Sequence, residues 1–208
     1  MRLAIFGATG GTGLELTRQA LEKGHNVRVL VRNPNRMSLT NANMRIVLGS
    51  VLDRESVTKT VLGTDAVLSC LGQRNLLRNT RVVSVGTHLI MSVMKEHGVR
   101  RLVVESAFGA SESLASASLM ERFVFATLLW APYEDKNLME PEVRASGLEW
   151  TILRPTLLTN GPRTGRYAVE VGRRPAVRRV TRADVATAML RAVEERLWVG
   201  GSPSVTGA

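Results

Sequence analysis

The sequence predicts an α/β fold, a single domain built on a doubly wound parallel sheet, and three observations predict it. A short apolar strand, Arg2–Phe6, runs directly into the glycine-spaced segment Gly7-Ala8-Thr9-Gly10-Gly11-Thr12-Gly13. An amphipathic pattern follows at once over Gly11 to Lys23, and a second apolar run opens at Asn26. Beyond it, short apolar runs keep alternating with helical patterns, as parallel strands joined by crossover helices require.

Taken in order, strands are expected at Arg2–Phe6, Asn26–Val31, Met44–Leu48, Asp65–Leu71, Arg101–Glu105 and Glu149–Leu153. Two weaker runs lie at Tyr167–Val171 and near Val199. Between them, Asp53 reads as the N-cap of a helix that runs through Val61 and stops at Gly63. Thr80 to His97 reads as a long helix closed by Gly98, and Glu134 to Ala145 as another closed by Gly147. A last helix spans Thr181 to Glu195, with Thr181 as N-cap and Asp184 at the third position, close to a capping box. Repeats, low-complexity segments and linkers are absent from the pattern.

Composition narrows the functional classes. The 208 residues suit one α/β domain with a full core, and 44% hydrophobic with 22% charged residues is ordinary for a globular protein. The lone Cys70 sits in an apolar run, where it reads as a small buried hydrophobe; no internal disulfide is possible and a reducing compartment fits. The glycine segment begins at residue 7, which leaves no room for a signal peptide before it. The apolar stretch Phe123 to Trp130 is too short to span a bilayer, so a cytoplasmic protein without a membrane role is expected. A net charge of +10 invites a nucleic-acid reading. The basic residues are scattered, however, and the densest run, Gly172 to Arg179, carries no zinc spacing or RNA-binding aromatic signature. No nucleic-acid partner is expected; positive charge also attracts a polyanionic dinucleotide. With three histidines in unpaired positions, no metal site is expected, and His88 and His97 read as packing or surface residues on the long helix.

The glycine segment carries the chemistry. Gly7 permits a tight strand-to-helix turn, Gly10 allows close approach to a diphosphate, and Gly13 lets the helix pack against the strand. The helix N-terminus then offers unpaired N–H groups and partial positive charge to the anion. At the end of the second strand, an acid would bind a ribose 2′-hydroxyl; Arg32 stands there instead, and its guanidinium suits a 2′-phosphate. Arg36 is close enough to bracket the same phosphate, although both arginines also read as solvated surface residues. Because ligands in such sheets bind beyond the carboxyl ends of the strands, one cleft should collect Gly7–Gly13, Arg32–Arg36, Gly49–Val51, Leu71–Asn75, Ser106–Phe108 and Pro155–Leu158.

With those segments placed, the chain resembles the atypical short-chain dehydrogenase/reductases. Within them it is similar to the NmrA-like NAD(P)H-binding branch that includes biliverdin reductase B, a flavin reductase. The segments that carry the resemblance are IFGATGGTG, VRVLVRNPNR, VLGSVLD, AVLSCLGQRN, MKEHGVRRLVVESAF, RASGLEWTILRP and GPRTGRY, in order across nearly the whole chain. The resemblance implies a Rossmann-type fold over residues 1–208, with a seven-stranded parallel sheet, NADP(H) laid across it and a small C-terminal portion at the substrate cleft. It implies a cofactor site of Gly7, Thr9, Gly10, Gly11, Thr12, Gly13, Arg32, Arg36, Ser50, Val51, Leu71, Gly72, Arg74, Ser106, Lys136, Pro155, Thr156 and Leu157. Within it, Arg32 and Arg36 take the 2′-phosphate, Leu71 to Arg74 the diphosphate and ribose side, and Pro155 to Leu157 lie by the nicotinamide. Two departures stand out. Gly49-Ser50 replaces the Gly-Asp that usually contacts adenine, and residues 109–132 differ from the segment covering the substrate in the flavin reductases.

Carbonyl-reducing members use serine, tyrosine and lysine, the tyrosine as proton donor. Ser106, Tyr133 and Lys136 are the candidates here, with a tyrosine–lysine spacing of three in place of the family's four. Both spacings keep the two side chains on one helical face. In the alternative reading Tyr133 flanks a turn after Pro132, and Lys136 pairs with Glu140. If no triad operates, the reaction must accept a proton from water, which suits flavins, quinones and conjugated tetrapyrroles. Phe108, Phe123, Phe125, Leu129 and Trp130 could wall such a flat, apolar small-molecule acceptor, or form an amphipathic helix in the core. The expected function is an NADPH-dependent reductase of a flat acceptor, monomeric or dimeric. A non-catalytic NADP(H)-binding redox sensor and a nucleotide-sugar epimerase or dehydratase are the alternatives.

Overall fold

The β-branched and leucine-rich runs pair as their patterning predicts. The structure, a computed structural model, describes residues 1–73, 80–172, 175, 177 and 179–208. Its strands are β1 (Arg2–Phe6), β2 (Asn26–Val31), β3 (Met44–Leu48), β4 (Ala66–Ser69), β5 (Arg101–Glu105), β6 (Glu149–Pro155), β7 (Leu157–Thr159), β8 (Tyr167–Glu170), β9 (Arg179–Thr181) and β10 (Ser204–Gly207). Its helices are α1 (Gly11–Glu22), α2 (Arg54–Val61), α3 (Val82–Glu96), α4 (Leu119–Thr127), α5 (Trp130–Arg144) and α6 (Arg182–Glu194).

The main sheet runs β3-β2-β1-β4-β5-β6-β10-β8. Its first seven strands are parallel; β8 closes the edge antiparallel to β10. Order reverses between β1 and β4, where Ile5 faces Leu68 in register. A ligand cleft is expected beyond the strand ends at that reversal. Central strands are apolar on both faces because both are covered. One face packs Leu3, Ile5, Val29 and Leu68 against α1 and α6, and the other packs Ala4, Phe6, Val67 and Leu102 against α2, α3 and α5.

Three sequence expectations need correction. The last strand forms at Ser204–Gly207 and not near Val199, because Trp198 (φ 52°) and Gly200 (φ 73°) take positive φ and turn the chain there. The Thr151 hydroxyl donates to the Trp198 carbonyl at 2.9 Å and holds that turn against β6. The helix expected from Glu134 starts at Trp130, since Pro132 falls in its first turn, where a missing N–H costs no hydrogen bond. Residues around Phe123 do form a helix, α4, capped reciprocally by Ser118 and Glu121, but none of its residues is buried. Leu119 is 85% and Phe123 65% exposed, so α4 is not a core helix.

One buried acid ties α5 to α3. The Asp135 carboxylate accepts from the N–H groups of Val83 and Ser84 at 2.9 and 2.8 Å, and from the Ser84 hydroxyl at 2.5 Å. These N–H groups belong to the first turn of α3, which the side chain of its own cap residue, Arg81, does not cap. Asp135→Ala is expected to destabilise the protein by about 2–3 kcal/mol, because it strands buried donors that met a charged acceptor. Urea unfolding with an unchanged m-value measures it; a midpoint shift equivalent to less than about 0.5 kcal/mol would contradict this capping role.

Candidate functional site

A cleft of about 1080 Å³ opens at the carboxyl ends of the parallel strands, across the β1/β4 reversal. Its floor is the glycine turn. Gly7 has φ 77°, and a Cβ there would lie 2.3 Å from the Cys70 carbonyl oxygen. A Cβ on Gly13 would lie 2.2 Å from the Gly7 carbonyl oxygen, so the first turn of α1 rests directly on the end of β1. Gly10 differs: its Cβ would meet only the Gly7 carbonyl oxygen, at 3.2 Å, and otherwise faces open space. The N-terminus of α1 has no side-chain cap and no acid in its first turn. Its unpaired N–H groups and helix dipole therefore face the cleft with no acid of the helix itself to cap them, and an incoming diphosphate fits this cradle.

The structure places most of the expected cofactor residues on this one cleft. Gly7, Thr9, Gly10, Gly11, Thr12, Arg32, Arg36, Ser50, Val51, Leu71, Gly72, Ser106, Lys136, Pro155, Thr156 and Leu157 all line it. Gly13 lies beneath the floor and acts through packing. Arg74 lies outside the described residues, as do Asn75 and, in the basic run, Arg173, Arg174 and Arg178. Arg32 and Arg36 are both exposed at the rim beyond β2.

The candidate triad shares the cleft without forming a hydrogen-bonded chain. The Ser106 hydroxyl is buried and donates to Glu140 Oε1 at 2.6 Å. The same carboxylate accepts from Arg154 Nε at 3.0 Å and from Arg154 Nη2 at 2.5 Å. Arg154 also reaches Glu112 Oε1 at 2.9 Å. Burial opposes the charged form of Glu112, but hydrogen bonds from Arg154 and Arg144 outweigh it and hold the carboxyl down to about 2. Lys136 therefore does not pair with Glu140, which the arginines occupy; its Nζ donates to the Glu105 carbonyl at 3.4 Å. Tyr133 lies within α5, not at a turn, and its hydroxyl donates to the Phe108 carbonyl at 2.7 Å. Burial pushes the phenol well above its ordinary value, and the nearby Glu121 adds to this. Burial also lowers the Lys136 ammonium, with the charge of Glu105 opposing.

Apolar groups form the wall around these residues. The Phe125 ring stacks on Tyr133 at 4.6 Å between centroids and 18° between planes. Phe108, Phe125, Leu129, Pro132 and Met120 line the cleft, whereas Phe123 and Trp130 point elsewhere. Gly109 (φ 96°) lets the chain pass under Phe125, whose ring carbon would lie 2.3 Å from a Cβ there.

Glu105 and Arg182 are among the cleft residues that escaped the sequence reading. Glu105 is buried at the end of β5, accepts from the Thr12 hydroxyl at 2.9 Å and is raised by burial, with Lys136 opposing. An acid closing the apolar run Leu102–Val104 was the available signal. Arg182 lines the cleft from the first position of α6, where a cation runs against the helix dipole. Cys70 is buried, and desolvation raises its thiol well above the usual value, so it behaves as a packing residue.

Fold and cleft together define a dinucleotide-binding α/β protein. Residues 7–196 match the family described as NAD(P)H-binding, and the chain belongs to that family. Among curated relatives, Reductase pytE of Aspergillus terreus is 26% identical, the match covering 77% of each chain. A chloroplast protein of Arabidopsis thaliana is 26% identical over 81% of this chain and 63% of its own. A (4-alkanoyl-5-oxo-2,5-dihydrofuran-3-yl)methyl phosphate reductase of Streptomyces griseus is 28% identical over 76% of this chain and 49% of its own. The match thus spans about half to three quarters of the length of these relatives. Similar solved structures include ChuY, an anaerobillin reductase from Escherichia coli O157:H7, with TM-score 0.85 at 19% identity, covering 100% of this chain and 97% of that one. A Veillonella parvula short-chain dehydrogenase/reductase in complex with NADP has TM-score 0.84 at 19% identity, covering 99% and 94%. Both share the fold. Among the described residues no helix is long and apolar enough to cross a membrane.

Gly10→Val is expected to abolish dinucleotide binding while the protein stays folded, because the added methyls enter the open diphosphate space. Calorimetric titration with NADPH and a circular dichroism melt check it together. Retained affinity in a folded variant would show that the turn is structural only.

Proposed function

We propose that this protein is an NADPH-dependent reductase that passes hydride to a flat, conjugated acceptor such as a flavin, quinone or tetrapyrrole-like molecule, with the proton coming from solvent. One observation carries the reading: the apolar wall of Phe108, Phe125 and Tyr133 shares a cleft with the glycine cradle, and its one phenol is already committed. A proton donor must offer its hydrogen to the reacting atom at a pKa near working pH. Tyr133 gives its hydrogen to the Phe108 backbone, and burial drives its pKa away from neutrality. Ser106 is likewise engaged, by Glu140. Carbonyl and sugar chemistry, which needs such a donor, is therefore disfavoured against acceptors whose reduced form takes a proton from water. The bound nicotinamide would supply the hydride. The chain's own residues would bind and orient: Arg32 and Arg36 the 2′-phosphate, the α1 N-terminus the diphosphate, and Phe108 and Phe125 the acceptor's plane. The reductase names of two curated relatives support the class of reaction. A reducing compartment, and with it the cytoplasm, agrees with a free, buried Cys70.

The test is consumption of NADPH, followed at its absorbance band, with a panel of flavins, quinones and aldehydes. Tight NADPH binding without turnover of any acceptor would move the protein to the sensor reading. With an acceptor in hand, Tyr133→Phe is expected to change kcat by less than about tenfold, since a true general acid contributes on the order of a hundred- to ten-thousandfold. A loss of several hundredfold at unchanged cofactor affinity, beyond about a hundredfold, would restore the tyrosine as donor.

Cofactor choice gives a separate prediction. Arg32 should favour NADPH over NADH by about ten- to a hundredfold, the worth of a charge-assisted hydrogen bond. Arg32→Glu should reverse that order in paired titrations, and equal wild-type affinities would remove the assignment.

A further inference from the structure

We infer that Arg182 is a second, side-chain ligand of the cofactor diphosphate, reaching the glycine turn from α6 on the far side of the chain. Its stem lies across Gly11: a Cβ on that glycine would sit 2.5 Å from Arg182 Cδ and 2.8 Å from Nε. Gly11 thus leaves open the space that the arginine stem occupies, whereas the space at Gly7 and Gly13 is closed by backbone. The guanidinium lines the cleft, and its Nη1 donates to Asn160 Oδ1 at 2.6 Å, which holds the fork in place.

The electrostatics of this placement call for an anion. Arg182 is the first residue of α6, so its charge stands at the positive end of that helix. Across Gly11 it meets the positive end of α1, which has neither a side-chain cap nor an acid in its first turn. Two helix N-termini and a guanidinium thus converge. The carboxylates at hand are otherwise engaged. Asp184 accepts from Thr164, Gly165 and Thr181, and Glu105 from Thr12, close enough to feel Arg182 but without an ion pair to it among the described residues. A diphosphate carries two negative charges at the position where these groups meet, and a guanidinium fork matches its oxygens. Arg182 would also offset the Glu105 charge beneath the turn, which otherwise repels the same diphosphate.

Arg182→Met keeps a stem across Gly11 and removes the charge. Arg182→Gln, which retains a donor toward Asn160, reads the same quantity should the methionine variant fail to fold. Each is titrated with NADPH, NADH and adenosine 2′-monophosphate, the last carrying the 2′-phosphate without a diphosphate. Both dinucleotides are expected to weaken by the same factor, on the order of ten- to a hundredfold, so the NADPH-to-NADH ratio survives. Adenosine 2′-monophosphate should bind within about twofold of the wild type. Dinucleotide affinities within about twofold of wild type would overturn the inference, and with a lowered melting point would leave Arg182 as a counter-ion to Glu105. A loss confined to NADPH and adenosine 2′-monophosphate would place it on the 2′-phosphate, and an equal loss for all three would reduce it to general attraction; both overturn it.

Discussion

The cofactor end of the protein depends on one close approach, that of the first turn of α1 to the backbone of Gly7. Neither Gly7 nor Gly13 has room for a Cβ, one against Cys70 and the other against Gly7 itself. A side chain at Gly13 would lift α1 away from the sheet, and one at Gly7 would push the turn off the Cys70 backbone. The helix N-terminus would then no longer stand over the β1/β4 reversal, where the strand ends leave space for a ligand. Because α1 also packs on α6, the same approach sets how close Arg182 comes to Gly11. The cradle is thus a product of backbone contacts, with side chains arriving around it.

Around the other end of the cleft, charge is handled by pairing within the protein. Glu140, without any exposure, is satisfied by Ser106, Arg144 and Arg154, and Glu112 by the same two arginines. A buried carboxylate left alone would be costly; enclosed by guanidinium groups, Glu140 becomes a fixed support for β6 and α5. Ser106 and Tyr133 are drawn into this economy of partners. Residues that sit in the order expected of a proton-transfer triad here hold the loop at Phe108 and the base of α5.

Much of the framework was legible in the chain, and for a clear reason. Strands such as Arg2–Phe6 and Arg101–Glu105 declare themselves because central parallel strands bury both faces, so Leu3–Phe6 and Leu102–Val104 read as apolar runs. The glycine turn is legible because its spacing encodes backbone geometry directly. By contrast, α4 carries the same apolar density as a core helix yet buries nothing, since its Phe125 and Met120 face the cleft and its Phe123 faces solvent. The final strand was misplaced because Val199 looks β-forming, while positive φ at Trp198 and Gly200 turns the chain before β10 can pair with β6.

By itself the sequence determined the doubly wound sheet, the glycine turn at its strand ends and the arginine beyond β2, each encoded by residues within a few positions of one another. Only the tertiary structure decided what the remaining polar residues do. Tyr133 meets Phe108 across 25 residues, Ser106 meets Glu140 across 34, and Thr12 meets Glu105 across 93. Arg182 meets Gly11 from the opposite end of the chain. Such partners are chosen by how helices pack on the two faces of the sheet, a choice that local propensity and spacing do not contain.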